Sequence, residues 1–337
     1  MKPSPSLSLL AFCCLSACGG GGSDDHSSSS GPVESPVTTE IAVKGKDLYS
    51  VNGNLFIPRG INLQYGDNPT AALPAIDEIA ATGANLVRLQ LRKNTSATEL
   101  KQALDAIVAK GMVAMPMYWE EDITCKQDVK PLTDAVATLW LDRWQSVLLD
   151  PAYSGHIMLN IANEWGSSQD YSSFVSTYKQ LIGQFRQAGF KMPLVIDGVD
   201  CGQNPDSFQS KRYASLQNAD ELKNLVFSLH AYHDKWNSRA KVESTMDSYQ
   251  KQSLPLLIGE FGDSEFQADG GHSVDHLQLM ASAQQRDLGW IAWSWHGNGS
   301  GYQVLDMSSQ HAPANLTRRG TDIVYDNAGL PTAQPIR

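Results

Sequence analysis

The sequence of 337 residues is poor in positive charge, in long apolar runs and in cysteine. It has 26 lysines and arginines against 36 aspartates and glutamates, which gives a net charge of −10. Because nucleic acids and anionic lipid surfaces are held by a cationic face, this balance argues against both partners and favours an uncharged substrate. No apolar run reaches the roughly 18 residues of a membrane-spanning helix. Apolar residues still make up 42% of the chain, which is enough for a large core and excludes a fully disordered protein.

The first residues have the pattern of a bacterial export signal. Lys2 precedes a mostly apolar or small segment from 7 to 17, and LSAC at 15–18 resembles the lipobox of bacterial lipoproteins. This pattern predicts a lipoprotein signal peptide over residues 1–17, cut before Cys18, which then carries lipid. An ordinary secretory signal with a chance cysteine is the alternative. Gly19 differs from the aspartate associated with inner-membrane retention. We therefore expect an exported outer-membrane lipoprotein, on the cell surface or the periplasmic face, that meets the membrane only through lipid.

A linker follows the lipidation site. Residues 18–40 consist of Cys18 and then GGGGSDDHSSSSGPVESPVTTE, a composition of Gly, Ser, Pro and acids that cannot bury a core. We expect a disordered tether that holds a folded domain off the membrane. No second shift in composition occurs after it, so residues 41–337 are predicted to form one folded domain without an appended binding module. We expect the protein to be a monomer.

The cysteines allow few pairings. Of the five, Cys13 and Cys14 leave with the signal peptide and Cys18 takes lipid, so Cys125 and Cys201 remain. In an exported and oxidising setting, one disulfide between them is the simplest outcome, and two free thiols are the alternative. Neither a C-x-x-C pair nor a His/Cys cluster suggests a metal site, and we expect no metal and no cofactor.

Short apolar or β-branched runs alternate with helical patterns along the folded part. Eight such runs, in series with helices between them, predict an α/β fold, the (β/α)8 or TIM barrel. Pro116 lies inside the third run and removes a ladder donor, so we expect a bulge or an early strand end there. The runs are Leu55–Ile61, Ala84–Leu91, Met112–Trp119, His156–Asn163, Pro193–Val199, Leu225–Tyr232, Pro255–Phe261 and Gly289–Trp295.

Segments between the runs have apolar residues spaced three or four apart. This 3.6-residue periodicity predicts helices over 71–82, 97–110 and 171–188. Gly111 and Gly189 follow the second and third of these segments and act as stop signals.

Two glutamates stand where catalytic groups of such a barrel belong. Glu164 follows MLNIAN after the fourth run and Glu260 follows PLLIG in the seventh. Active sites of these barrels lie at the carboxyl ends of the strands. Two carboxylates facing one cleft are the equipment of glycoside hydrolysis, in which one attacks the anomeric carbon and the other protonates the leaving oxygen. Surface or ion-paired glutamates are the alternative interpretation.

The motifs around these glutamates resemble family 5 of the glycoside hydrolases. The similarity covers about residues 50 to 330, and the most similar branch is that of the bacterial endo-β-1,4-mannanases. The segments that carry it are RGIN (59–62), GANLVRLQL (83–91), NIANEWG (160–166), FSLHAYH (227–233), IGEFGD (258–263), GWIAWSWHGN (289–298), LDMS (305–308), LTRRG (316–320) and GL (329–330).

The resemblance implies a retaining endo-β-glycanase that works by double displacement. Glu164 would be the general acid/base and Glu260 the nucleophile. The implied substrate is a β-1,4-mannan, whether linear mannan, glucomannan or galactomannan. An endo-β-1,4-glucanase or another β-glycan hydrolase of the same family is the alternative. A lipid-anchored glycan-binding protein without catalysis and a metal-dependent barrel hydrolase are more remote ones.

The resemblance also implies a substrate-binding set around the glutamates. Arg88 would keep Glu260 ionised, and Asn163 would bind the sugar 2-hydroxyl. Tyr232 would donate to Glu260, His230 would line the acid/base side, and Trp293 would stack under the sugar. Trp119 completes the set.

Trp119 is also a departure from the branch. The mannanase branch has a histidine after the third strand, and Trp119 stands in its place. The segment from Gly262 to Val274 is longer and more polar than in that branch. Five tryptophans near strand ends are predicted stacking platforms, which suit mannan and cellulose equally, and GWIAWSWHGN followed by LDMS favours mannan. They are Trp119, Trp165, Trp236, Trp293 and Trp295.

Overall fold

The computed structural model describes residues 39–209, 211–267 and 272–336. The predicted signal peptide, the predicted lipidation site Cys18 and the linker up to residue 38 lie outside the described residues, as does part of the 262–274 segment. Within the described ranges, none of the helices is both long and apolar enough to cross a membrane.

Eight parallel strands close into a barrel in chain order, which confirms the predicted TIM barrel. Before them, three short strands form a small antiparallel sheet: β1 (Ala42–Lys44), β2 (Asp47–Tyr49) and β3 (Leu55–Phe56). The barrel strands are β4 (Arg59–Leu63), β5 (Leu86–Leu91), β6 (Val113–Tyr118), β7 (Leu159–Asn160), β8 (Leu194–Asp197), β9 (Leu225–Ala231), β10 (Leu256–Phe261) and β11 (Gly289–Ala292).

Helices connect the barrel strands. They are α1 (Pro69–Ala72), α2 (Ala75–Ala81), α3 (Ala97–Ala109), α4 (Val129–Ala135), α5 (Gln145–Leu148), α6 (Tyr171–Gln187), α7 (Lys211–Ala219), α8 (Arg239–Lys251), α9 (His276–Gln284) and α10 (Arg318–Tyr325). A π-helical stretch, Val136–Arg143, continues α4. Short 3-10 turns occur at Tyr65–Asp67, Pro151–Tyr153, Ser168–Asp170, Gln303–Leu305 and Leu330–Thr332.

Local sequence explains the helix ends. Ser96 and Glu99 form a reciprocal capping box at the start of α3, with the Ser96 N–H donating to Glu99 Oε2 at 2.8 Å. The predicted helices 97–110 and 171–188 agree with α3 and α6 to within one residue at their ends. The predicted helix 71–82 is instead two helices, because Pro74 cannot continue α1 and serves as the N-cap of α2.

Two strand predictions were wrong in detail. The first run, Leu55–Ile61, is divided at Pro58: its start is β3 of the small sheet and its end begins barrel strand β4. Pro116 causes neither a bulge nor an early end, because β6 continues to Tyr118. The backbone groups of Ala114 and Tyr118 bond to the segment that contains β7. The missing N–H of Pro116, which lies between them, therefore faces β7, and β7 is only two residues long.

The two ends of the barrel interior differ in polarity. Alternate residues of a barrel strand face inward. Leu48 and Phe56 of the small sheet pack with inward residues near the strand beginnings, which form one apolar cluster: Leu86, Val113, Met115, Met158, Val195, Val226, Leu257 and Ile291. The same alternation places buried polar residues two positions later on four strands, at Arg88, Asn160, Asp197 and Ser228. The apolar cluster therefore lies beneath a layer of buried polar residues at the carboxyl ends of the strands.

Candidate active site

The two predicted carboxylates meet at the carboxyl ends of the strands. Glu260 lies on β10, where the register against β9 shifts between Ile258 and Glu260. Glycine is required at position 259, since a Cβ there would overlap Ser228 Oγ on β9. Glu164 follows β7 with a left-handed φ of 56°, a conformation that non-glycine residues adopt rarely. Carboxylate oxygens of Glu164 and Glu260 and a ring nitrogen of His230 all lie within 4.8 Å of one another.

Glu164 has the environment of a proton donor. Only 9% of its surface is exposed. Burial raises the pKa of Glu164 above its usual value, and the negative charges of Glu260 and Asp197 act in the same direction. His230 opposes this shift through a 2.7 Å contact between its Nδ1 and Glu164 Oε1. A carboxyl group with a raised pKa can hold its proton until a leaving group takes it.

Glu260 has the environment of a nucleophile. Arg88 Nη1 donates to its Oε1 at 2.6 Å, and the Tyr232 hydroxyl donates to its Oε2 at 3.0 Å. Burial and the adjacent carboxylates raise the pKa of Tyr232 well above its usual value, so its hydroxyl keeps the proton it donates. Both Glu260 oxygens thus act as acceptors, and the side chain is fixed from two sides.

Arg88 connects the strands beneath the carboxylates. Besides Glu260, its guanidinium donates to the side-chain oxygens of Asn62 at 2.9 Å, Asn160 at 2.9 Å and Asn163 at 2.8 Å. Its Nη2 also lies 3.2 Å from Asp197 Oδ2. A planar guanidinium with a fixed fork of donors suits this many acceptors, whereas a lysine ammonium would not. Arg88 therefore sets the positions of both Glu260 and Asn163.

Asp197 and His230 complete the buried charge network. Burial disfavours the charge of Asp197, yet the His230 and Arg88 cations lower its pKa to about 2. Burial likewise opposes protonation of His230, but the charges of Glu260 and Asp197 and its carboxylate contacts raise its pKa to about 10. The His230 Nε2 lies 3.4 Å from Asp197 Oδ2, without the alignment of a hydrogen bond, so this attraction is Coulombic. Asp197 also accepts the Glu164 N–H at 3.1 Å and so holds the Glu164 backbone.

A cleft of about 700 Å³ opens above these groups. Of the predicted set, Trp119, Asn163, Tyr232 and Trp293 line it together with both glutamates. Arg88 and His230 do not, since both are 0% exposed. This revises the expectation that they bind substrate: they act through the carboxylates that they contact.

Three of the five predicted stacking platforms are wrong. Trp165 and Trp236 are 1% exposed and Trp295 is 0% exposed, so their rings cannot meet a sugar. Trp165 packs between Phe174 and Tyr178 of α6, and each of the three indole N–H groups donates to a backbone carbonyl, as buried tryptophans usually do. A position near a strand end did not specify whether the ring turns toward the cleft or toward the helices.

The two tryptophans that do line the cleft are held in place differently. The Arg92 guanidinium lies 3.9 Å from the ring centroid of Trp119, with Arg92 in turn bonded to Asp67 at 2.6 Å. Trp293 Nε1 donates to Asn298 Oδ1 at 2.8 Å. The predicted set missed several other residues that line the cleft, because single polar or aromatic residues in loops have no sequence pattern that marks them. They are Gln64, Arg92, Gln203, Phe266, Asn298 and Tyr302.

The predicted disulfide is confirmed. Cys125 and Cys201 are bonded, with Cα atoms 4.6 Å apart. Both cysteines line the cleft, and the Sγ of Cys125 lies 3.5 Å from Glu164 Oε2. The cross-link thus joins the loop after β6 to the loop after β8, and Glu164 lies against it.

Glu164, His230 and Glu260 are also of the residue types that ligate metals. Their chemistry here argues against that use. His230 Nδ1 already contacts Glu164 Oε1 at 2.7 Å and Arg88 already donates to Glu260 Oε1 at 2.6 Å, so both carboxylates are engaged by groups of the chain itself. Arg88 and protonated His230 already supply two positive charges to this layer, which disfavours a divalent cation.

His230 is expected to set the alkaline limb of the activity profile. Its contact with Glu164 lowers the pKa of that carboxyl group, so His230→Asn should raise it further. The alkaline limb of kcat/KM reports deprotonation of the acid in the free enzyme, so this limb should move to higher pH in the variant. The maximal kcat/KM should fall by about tenfold, because Glu164 loses the hydrogen bond that orients it.

A pH series of kcat/KM on a soluble oligosaccharide substrate measures this shift. Tyr232→Phe is the matched control, because Tyr232 contacts Glu260 and not Glu164. It should lower the rate and leave the alkaline limb in place. A limb that moves to lower pH in His230→Asn would contradict the assignment of Glu164 as the titrating acid.

Comparison with known proteins places these features in a family. The model of the family described as Cellulase (glycosyl hydrolase family 5) matches residues 49–299. The chain is 32% identical over 302 residues to a mannan endo-1,4-beta-mannosidase of Salipaludibacillus agaradhaerens, covering 87% of this chain and 94% of that protein. It is 30% identical over 294 residues to a mannan endo-1,4-beta-mannosidase of Cellvibrio japonicus (strain Ueda107), covering 86% of this chain and 66% of that protein.

Solved structures agree with the sequence relatives. A beta-mannanase from Thermomonospora fusca superimposes with a TM-score of 0.79 at 26% identity, covering 89% of this chain and 99% of that one. Its mannohexaose complex gives a TM-score of 0.77 at the same identity and coverage. The matching segment includes β4 to β11 with both glutamates, and it extends over most of the chain. The chain therefore belongs to glycosyl hydrolase family 5.

Proposed function

We propose that this protein is a retaining endo-β-1,4-mannanase that cleaves mannan, glucomannan or galactomannan. The observation that carries the proposal is the approach of Glu164 and Glu260 to within 4.8 Å in an open cleft. Retaining enzymes place their two carboxyl groups about 5–5.5 Å apart, whereas inverting enzymes leave about 6.5–9.5 Å for a water molecule. The names of the relatives, mannan endo-1,4-beta-mannosidases, support mannan as the substrate.

In the first step, a Glu260 oxygen attacks the anomeric carbon while the bond to the leaving oxygen breaks. Glu164 gives its proton to that oxygen, and the shortened chain departs with a new hydroxyl group. A mannosyl ester on Glu260 remains. In the second step Glu164, now a carboxylate, takes a proton from water as the water attacks the same carbon, and Glu260 leaves as a carboxylate.

The surrounding residues prepare both steps. Arg88 and Tyr232 hold Glu260 toward the anomeric carbon, which reduces the entropy that attack must overcome. Asn163 Oδ1 accepts from Arg88, and Asn163 Nδ2 donates to Thr124 Oγ1 at 3.5 Å, which leaves its second amide proton for the sugar 2-hydroxyl in the cleft. Mannose differs from glucose by its axial 2-hydroxyl, so Asn163 is placed where that difference matters. Trp293 lines the cleft, and we propose that its ring stacks against the sugar at the cleavage point.

Cleavage of a substrate panel tests this function. We expect oligosaccharides from linear mannan and glucomannan, and at least about tenfold slower cleavage of carboxymethylcellulose, a difference of about 1.4 kcal/mol in transition-state binding. Glu260→Ala protein from the same preparation serves as the blank. Faster hydrolysis of a β-glucan with mannan untouched would support the endoglucanase alternative, and binding without any product would support the glycan-binding one.

We also propose that the protein is an outer-membrane lipoprotein attached through Cys18. The LSAC segment at 15–18 and the Gly/Ser-rich residues after it support this proposal. Wild-type protein made in a bacterial host should fractionate with outer membranes and carry acyl chains on an N-terminal cysteine by mass spectrometry. Cys18→Ala should lack the acyl chains, and a wild-type N-terminus at any other residue would refute lipidation.

A further inference from the structure

The Cys125–Cys201 disulfide occupies an unusual place for a structural cross-link. Cys125 is exposed and Cys201 partly exposed, and both line the substrate cleft. The sulfur of Cys125 lies 3.5 Å from Glu164 Oε2. A bonded sulfur has no hydrogen to donate, so this oxygen faces a polarizable and essentially apolar surface.

The two oxygens of Glu164 therefore have different neighbours. Oε1 is taken by His230 Nδ1 at 2.7 Å, and that nitrogen is also 3.6 Å from Glu260 Oε1. Oε2 is the oxygen that remains for the leaving group, and Cys125 Sγ is the side-chain neighbour that the described residues give it.

Backbone contacts fasten Glu164 to the same cross-link. The Cys125 N–H donates to the Glu164 carbonyl at 3.1 Å, and the Gly166 N–H donates to the Lys126 carbonyl at 2.7 Å. On the other side, the Asp200 N–H donates to the Gly166 carbonyl at 3.0 Å. The loop that carries Glu164 is thus held between the two loops that the disulfide joins.

The backbone conformations in these loops require such support. Four non-glycine residues have left-handed φ angles: Glu164 at 56°, Cys125 at 59°, Asp200 at 56° and Cys201 at 57°. Conformations of this kind persist at functional sites only when surrounding contacts determine them. The neighbour of Cys201 adds a further constraint, because a Cβ on Gly202 would lie 2.7 Å from the His230 ring.

We propose that the Cys125–Cys201 disulfide is a positioning element of the proton donor: it fixes the backbone of Glu164 and keeps the proton-bearing Oε2 against a surface that offers no hydrogen-bond donor. This inference depends on the proposed role of Glu164 as general acid. Without the cross-link, water reaches Oε2 and the carboxyl group moves away from the leaving oxygen. Protonation of the leaving group then suffers, while attack by Glu260 does not.

The dependence of rate on the leaving group separates this role from a merely structural one. The double variant Cys125→Ala/Cys201→Ala is compared with wild type on aryl β-mannobiosides. For poor leaving groups, which need protonation, kcat/KM should fall by about tenfold or more, because general acid catalysis contributes about 10²–10⁴-fold. For the 2,4-dinitrophenyl compound, which departs without a proton, the first step should change by less than about threefold. The alkaline limb of the pH profile should move to lower pH as water reaches Glu164.

Two further measurements make every outcome decisive. The first measurement uses wild-type enzyme reduced under native conditions, with two free thiols verified by titration. It should show the same leaving-group dependence as the double variant and should recover on reoxidation. This measurement still tests the proposal if the double variant does not fold. Equal loss for all leaving groups, or no loss, in the folded protein would overturn the proposal. Glu164→Ala is the second measurement and the reference. If its loss of kcat/KM does not depend on the leaving group, the assignment of Glu164 as the acid has failed. If the loss depends on the leaving group in Glu164→Ala but not in the protein without the disulfide, only the proposed role of the disulfide is refuted.

Discussion

Glu260→Ala is expected to abolish turnover of every substrate, by about 10⁴-fold or more, because no other group can form the mannosyl ester. Glu260 is 4% exposed and held by Arg88 and Tyr232, so no neighbouring carboxylate can take its place without repacking. The loss should be as large for 2,4-dinitrophenyl β-mannobioside as for mannan, since a good leaving group does not replace a nucleophile.

Glu164→Ala should behave differently with the same substrates. Mannan cleavage should fall by about 10²–10⁴-fold, the usual contribution of a general acid. Formation of the mannosyl enzyme from the dinitrophenyl substrate should survive, and added azide should restore turnover and give the β-mannosyl azide. Glu221→Ala, at an exposed glutamate that does not line the cleft, is the matched control and should retain full activity. A β-mannosyl azide from Glu260→Ala would reverse the two roles.

The second large effect is expected at Arg88. Arg88→Met removes a fully buried cation that contacts Glu260 and Asp197. Both buried carboxylates then lose the positive charge of their ion pair. Breaking a buried ion pair in this way costs about 3–5 kcal/mol of stability. The activity of the molecules that remain folded should fall by about 100-fold, because Glu260 and Asn163 lose the donor that positions them.

Arg59→Met provides the matched control for Arg88. Arg59 is also buried, at 2% exposure, but lies at the beginning of β4, where it donates to the carbonyls of Pro58 and Leu288. Its loss should lower stability and leave kcat/KM per folded molecule unchanged. Urea unfolding and kcat/KM are measured on the same samples. If Arg88→Met merely loses stability like Arg59→Met, Arg88 has no positioning role.

The barrel and its carboxylates could be predicted from the sequence for a physical reason. A strand buried on both faces reads as a short apolar run, and a charged residue directly after such a run, as at Glu164 and Glu260, must reach the polar end of the barrel. The lone pair of remaining cysteines left one possible disulfide. These features depend on local composition and on chain order, which the sequence contains directly.

Other features depend on which way a side chain turns, and the sequence does not contain that. Arg88 and His230 were expected to bind substrate, yet both side chains are fully buried and contact the carboxylates of Glu260 and Glu164 instead. Trp165 turns toward α6 after the left-handed backbone at Glu164, so a residue next to the acid contributes only to packing. Asp197 has no motif of its own, and its role became visible only through its contacts with Arg88, His230 and Glu164.

The anomeric configuration of the first product tests the central claim most directly. Linear β-1,4-mannohexaose is added to the enzyme, and proton NMR follows the new reducing end before mutarotation mixes the anomers. Attack by Glu260 followed by attack of water inverts the same carbon twice, so the account predicts the β-anomer first and the α-anomer only later. Appearance of the α-anomer as the first product would show a single displacement by water and would contradict the nucleophilic role of Glu260.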